Sequence, residues 1–144
     1  MQTVRRTERV SCSAAQMFAI VNDVGGYPEV LKWCHGARVV RQDGNVVEAL
    51  VEVGMSGFHR SFRTRNTLDE PHRIDIELIS GPFRRLEGHW SFRDLPEGGS
   101  EVGLSLDIEV AGSLLSAFLA TVFQELAHAQ LTAFIEQAER RHGG

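Results

Sequence analysis

The stretch GSLLSAFLATVFQELAHAQLTAFIEQAERR, residues 112–141, contains no glycine after Gly112 and no proline. Such a run predicts one long helix. Ser113 suits its N-cap, Arg140, Arg141 and His142 place cations where the helix dipole favours them, and Gly143 supplies the stop. At about 1.5 Å per residue the helix would extend about 40 Å, longer than a small domain is wide. It must lie across something. Leu115, Phe118, Leu119, Val122 and Leu126 share one apolar stripe, and Ala127, Leu131, Phe134 and Ala138 share another. The second is rotated from the first by about a third of a turn on a wheel of about 100° per residue. Two offset stripes predict a helix that bends or one that rolls across a strongly twisted sheet. Gln124, Glu125, His128, Gln130, Glu136 and Gln137 interrupt the apolar runs, well short of the about 20 residues of a membrane span.

Outward from the helix, the sequence supplies that sheet. Glu101–Val110 alternates cleanly, with Val102, Leu104, Leu106, Ile108 and Val110 on one side and Glu101, Ser105, Asp107 and Glu109 on the other. Period two also runs through Ala37–Gln42, Val46–Val53, Phe58–Leu68, Ile74–Ile79 and Phe83–Phe92. Turn signals separate these runs: Asp43-Gly44-Asn45, Gly54 to Gly57, Glu70-Pro71-His72, Gly81-Pro82 and Pro96-Glu97-Gly98-Gly99. An opening strand, Val4–Val10, precedes a helix that starts at Ser13, where Ser13 and Gln16 form a capping-box pattern and Met17, Phe18, Ile20 and Val21 give the apolar side. Tyr27-Pro28-Glu29-Val30-Leu31 adds a short helical turn with Pro28 early in it. The expected fold is α+β: a curved seven-stranded antiparallel meander gripping a long C-terminal helix, with two short helices after the first strand, in a single domain over residues 1–144.

Composition is that of an ordinary globular chain with net charge -4, which argues against a general nucleic-acid glove and against DNA as a partner. Fourteen arginines stand against Lys32 alone, a bias that a GC-rich genome produces without any function. Met1 leads straight into a polar segment with no apolar h-region, so no signal peptide is expected. Cys12 and Cys34 lack disulfide-framework and metal-ligand spacing, and free thiols in a cytoplasmic protein are expected. Six histidines are scattered singly, with no Gly-rich phosphate loop and no Gly-x-Ser-x-Gly elbow. Catalytic residues, metal and resident cofactor are not expected, and enzyme is the minority reading.

Three blocks carry a family resemblance. Val21-Asn22-Asp23-Val24, Tyr27-Pro28, Leu31 and Trp33-Cys34 form the first; Phe62 with Thr64-Arg65-Asn66 the second; Gly81-Pro82-Phe83-Arg84-Arg85-Leu86, Gly88, Trp90 and Phe92 the third. Val122-Phe123, Glu125-Leu126 and Ala133-Phe134 continue them into the last helix. The chain resembles, over essentially its whole length, the ribosome-association toxin (RatA) and coenzyme-Q-binding branch of the START-like superfamily, and departs from it at Lys32, where the family has proline. The resemblance implies the helix-grip fold. It also implies two functions of different kinds: binding of ubiquinone or a related polyprenyl lipid in support of respiration, or association with the large ribosomal subunit as a toxin that blocks subunit joining. Polyketide aromatase/cyclases are more distant relatives.

The residues offer a site for each function. Phe58, Arg60, Phe62, Thr64, Asn66 and Leu68 share a strand face. If that face meets the helix, a charge and two polar groups enter an apolar interior, where they bond one another, water or a ligand head; at an edge or bulge, Arg60 instead lies in solvent. Trp90, Phe92, Leu106, Phe118, Leu119 and Val122 are candidates to line the ligand's path, or are core. Tyr27, Pro28 and Trp33 are candidates for the cavity mouth. Arg63 and Arg65 lie on the opposite strand face, with Arg84 and Arg85 nearby in sequence, as candidate contacts to ribosomal RNA. A hydrophobic small molecule or quinone, the large ribosomal subunit and a transient membrane surface are the expected partners, with lipid binding first and the ribosome as the alternative.

Overall fold

A computed structural model describes the backbone of residues 2–55, 58–110 and 115–142 and the side chains of residues 3–54, 59–110 and 124–142. Alternating sequence becomes seven strands: β1 (Gln2–Val10), β2 (Cys34–Asp43), β3 (Val46–Met55), β4 (Phe58–Asp69), β5 (Arg73–Ser80), β6 (Phe83–Asp94) and β7 (Ser100–Val110). All pair antiparallel in the order β1-β7-β6-β5-β4-β3-β2, so the meander from β2 to β7 is completed by the opening strand, and β1 and β2 are the edges. Most strands run a residue or more beyond their alternating stretches, because ladder bonds persist where the apolar pattern has ended. β2 gains the most at its start: Cys34 pairs with Val53 across an irregularity before Gly36.

Three helices complete the fold: α1 (Ala14–Asn22), α2 (Tyr27–Val30) after a 3-10 turn at Val24–Gly26, and α3 (Leu115–His142). The capping box at α1 forms as read, Ser13 and Gln16 satisfying each other's backbone N–H groups. Asp94 Oδ1 takes the N–H of Ala14 at 2.9 Å and ties α1 to β6. Ser113 and Gly143, assigned as cap and stop of α3, lie outside the described residues, as do the side chains of Leu115, Phe118, Leu119 and Val122 in its first stripe.

The second stripe is core. Ala127, Leu131, Phe134 and Ala138 are buried, and α3 packs on β1, β7 and α1 and touches α2. Phe134 meets Trp90 at 5.6 Å and Tyr27 at 5.3 Å between ring centroids, Trp90 stacks on Phe92 at 6.3 Å, and Phe92 meets Phe18 edge-on at 5.6 Å. Burying each such ring contributes about 1.5–3 kcal/mol. Arg6 on β1 clamps the helix: its guanidinium donates to the His128 carbonyl (2.5 Å) and Thr132 Oγ1 (3.0 Å) and pairs with Glu8 (3.0 Å).

Two glycines of the third family block have steric reasons. A Cβ at Gly88 would lie 2.0 Å from the Ser105 carbonyl oxygen, so β6 approaches β7 there as only glycine allows. Gly81 has φ 151° and a Cβ there would lie 2.6 Å from that of Phe62.

Candidate functional site

Where β3, β4 and β5 curve away from α3, the interior is not filled. A cavity of about 100 Å³ is lined by Thr64 and Asn66 of β4, Trp90 of β6, Leu106 of β7, Gln130 of α3, and Trp33 from the segment after α2, with Tyr27 and Phe62 also on its wall. A second compartment of about 60 Å³ adjoins it and shares Trp33, Phe62, Leu106 and Gln130. Register explains how polar side chains come to be here. Thr64 stands between Ala49 and Leu78, and Asn66 between Val47 and Ile76, in the middle of the sheet with apolar neighbours on both sides. The small Ala49 leaves space beside Thr64.

Two buried polar atoms in this wall have no hydrogen-bond partner: Asn66 Oδ1, on a side chain only 9 % exposed, and Trp33 Nε1. An unmade buried hydrogen bond costs about 1–3 kcal/mol. Tyr27, by contrast, is satisfied, its hydroxyl donating to the Val21 carbonyl at 2.5 Å. Burial, with smaller contributions from Cys34 and Asp23, pushes its phenol well above the ordinary value, so it stays protonated. The Cys34 thiol is also pushed up, chiefly by burial, and donates to the Gly36 carbonyl at 3.3 Å. It is a packed thiol rather than a nucleophile.

Trp33 is the partition between inside and outside. Together with Leu126 it lines a groove of about 600 Å³ along α3, whose other walls include Val30, Leu31, Ala129 and Ala133. Lys32, at the position where the resemblance predicts proline, stands on this groove with Glu136.

The structure thus gathers Phe62, Thr64, Asn66, Trp90, Leu106, Tyr27 and Trp33 at one place, and leaves three other candidates outside its lining. Arg60 is exposed, its Nη1 donating to the His59 carbonyl at 3.1 Å. Its register partner Val53 is buried, so Arg60 has the inward-facing parity, but near the end of the strand its long side chain reaches water rather than surrender hydration. Phe92 packs between Phe18 and Trp90 as core and does not line the cavity. Pro28 is exposed on α2. The side chains of Phe58, Phe118, Leu119 and Val122 fall outside the described residues. Gln130 was missed. It interrupts the apolar stripes of α3, yet it lies one helical turn from Leu126 and Phe134, and that spacing was the available signal.

The outer sheet face differs from the expected basic patch. Arg65 pairs with Glu77 at 3.1 Å, Arg85 pairs with Glu87, and Asp107 lies 3.9 Å from Arg85. Arg84 is exposed and Arg63 half-buried. Two of the four arginines, Arg65 and Arg85, are therefore offset by neighbouring carboxylates. His89, on the same face, is held below the usual histidine value, first by burial and then by Arg73. Among the described residues no three His, Cys, Asp or Glu side chains converge as metal ligands, and no helix is long and apolar enough to cross a membrane.

A family profile described as polyketide cyclase/dehydrase and lipid transport matches residues 10–135. The ribosome association toxin RatA of Vibrio cholerae is 36 % identical over 143 residues, 99 % of both chains. The mitochondrial coenzyme Q-binding protein COQ10 homolog B of Xenopus laevis is 30 % identical over 91 % of this chain and 55 % of its own. Among solved structures, the Zhui aromatase/cyclase from Streptomyces sp. R1128 superposes with a TM-score of 0.86 over 97 % of this chain and 94 % of that one, at 18 % identity, a likeness of fold.

Proposed function

Given that the chain belongs to the polyketide cyclase/dehydrase and lipid transport family, in the START-like branch of RatA and the coenzyme-Q-binding proteins, we propose that it is a non-enzymatic binding protein for a hydrophobic molecule with a polar head, ubiquinone or a related polyprenyl lipid. The observation that carries this reading is the cavity walled by apolar side chains and by Asn66 and Trp33, each of which carries a buried polar atom without a hydrogen-bond partner. A few polar groups in an apolar concavity are what orient a ligand. The cavity of about 100 Å³ with about 60 Å³ beside it is on the scale of a single ring, since a cavity of about 150 Å³ takes up benzene. Pockets that bury a whole drug-sized ligand run to about 300–1,000 Å³, and a polyprenyl lipid needs no less. The head therefore enters past Trp33 and the tail lies in the outer groove of about 600 Å³. Binding rather than catalysis is supported by the lining: among the described residues Tyr27 is its one titratable group, and burial keeps it protonated.

Trp33 and Trp90 both stand on the cavity wall and are the chain's two tryptophans, so their fluorescence reports occupancy. Titration with a short-tailed ubiquinone should quench it saturably. A flat response up to the solubility limit of the quinone, from folded protein, would refute the reading.

A second reading, association with the large ribosomal subunit to block subunit joining, is favoured by the match to RatA along 99 % of both chains. With Arg65 and Arg85 offset by Glu77 and Glu87, this reading assigns such contacts first to the exposed Arg84. Co-sedimentation with large subunits should then fall steeply with salt and be weakened by Arg84→Glu; no co-sedimentation at low salt removes this reading.

A further inference from the structure

We propose that the head group this cavity selects bears a hydroxyl, as in a phenol or hydroquinone, rather than carbonyl oxygens alone. The inference rests on the binding reading above and names its ligand class. Trp33 Nε1 is a donor and cannot accept; Asn66 Oδ1 is an acceptor and cannot donate. Both atoms are buried, and the side chains that carry them line the same cavity of about 100 Å³. A quinone carbonyl answers Trp33 and leaves Asn66 Oδ1 unpaired. A hydrocarbon answers neither. A hydroxyl can answer either, since its oxygen accepts and its hydrogen donates, and a ring bearing one or two hydroxyls presents both functions within the volume available. Thr64, 6 % exposed beside Asn66, adds a hydroxyl to the same wall that can accept or donate, so it neither requires nor opposes this choice. The wall therefore favours the reduced, hydroxylated form of a ring that exists in both forms. No chemistry on the ring is implied; the selection is by hydrogen bonding alone.

The test compares three 4-hexylbenzenes that differ in one ring substituent. 4-Hexylphenol donates and accepts, 4-hexylanisole accepts only, and 4-hexyltoluene does neither. Each is titrated into the full chain with tryptophan fluorescence and calorimetry as readouts. The phenol should bind about tenfold or more tightly than either analogue, because a site built to pair a hydroxyl is left with unmatched polar groups when the hydroxyl is missing. In Asn66→Leu the phenol and anisole should converge, and in Trp33→Phe the anisole should lose its advantage over the toluene. The two variants are independent, so failure of one to fold leaves the other decisive. Equal affinity of phenol and anisole in the parent protein would overturn the inference while leaving apolar binding intact. Tighter binding of anisole would mean that the Asn66 amide turns its NH₂ inward, and would overturn it as well. Binding of none of the three, from folded protein, would remove the binding reading itself.

Discussion

Two regions lie under the same sheet and are built from the same alternating pattern, yet one is packed solid and the other is not. Beneath the second half of α3, Leu131, Phe134 and Ala138 are at most 1 % exposed, and Phe18, Trp90 and Phe92 fill the space around them. Beneath the β3–β5 wing, Thr64 and Asn66 take the inward positions and a cavity remains with two orphan polar atoms in its wall. Native interiors are close-packed and pair nearly all their buried polar groups. The first region meets that standard and the second departs from it on both counts. A fold this size can hold one such departure because the filled side supplies the stability, and the departure is where a ligand's contribution would enter.

The contrast has consequences that can be measured. The largest concerns the filled side. Phe134→Ala should cost about 3–5 kcal/mol in chemical denaturation, the range for truncating a buried aromatic ring. A loss below about 1 kcal/mol would mean that the region around Phe134 is no better packed than the cavity. Next comes the clamp between the two sides. Arg6→Met keeps the apolar stem but removes the charged hydrogen bonds to His128 and Thr132, and should cost about 1.5–3 kcal/mol. Hydrogen exchange of α3 amides near His128 should quicken in the same variant. If exchange is unchanged, the clamp does not hold the helix over the cavity.

On the open side the sign reverses. Asn66→Leu removes an unpartnered acceptor and fills space, so the variant should be about 1 kcal/mol more stable than its parent and poorer at binding. A destabilised Asn66→Leu with unchanged binding would make Asn66 an ordinary structural residue and erase the difference between the regions. The smallest effect belongs to neither interior. His89 has a lowered value in the folded chain, so the unfolded chain takes up the proton first as pH falls. Its contribution is whole above the ordinary histidine value of about 6.5 and is lost as pH drops through the lower folded value. His89→Gln should remove that part of the acid-side slope in denaturation measured against pH. The tyrosine on the cavity wall should add nothing between neutral pH and pH 9, since Tyr27 is pushed upward.

Most of the architecture was legible because its causes are local. The capping box at Ser13, the turn at Gly44-Asn45, the unbroken alternation of Val102 to Val110 and the glycine-free run of α3 each act within a few residues, and each formed as read. Family resemblance marked Gly81 and Gly88 without explaining them; the explanation, a Cβ colliding with Phe62 or with the β7 backbone, belongs to residues distant in sequence.

The site divides along the same line. The sequence by itself determined that Arg60, Phe62, Thr64 and Asn66 have one parity, because side chains on a strand alternate with period two whatever lies above them. It did not determine depth. Arg60 and Asn66 occupy the same face of β4, yet one is in water and the other is 9 % exposed. Gln130 reads as a polar break in an apolar helix and stands on the cavity wall. Only the curvature of the sheet and the path of α3 across it decide which inward positions are covered. Those are set by contacts such as Phe134 on Trp90 and Arg6 on His128, which join residues far apart in the chain and leave no periodic trace in it.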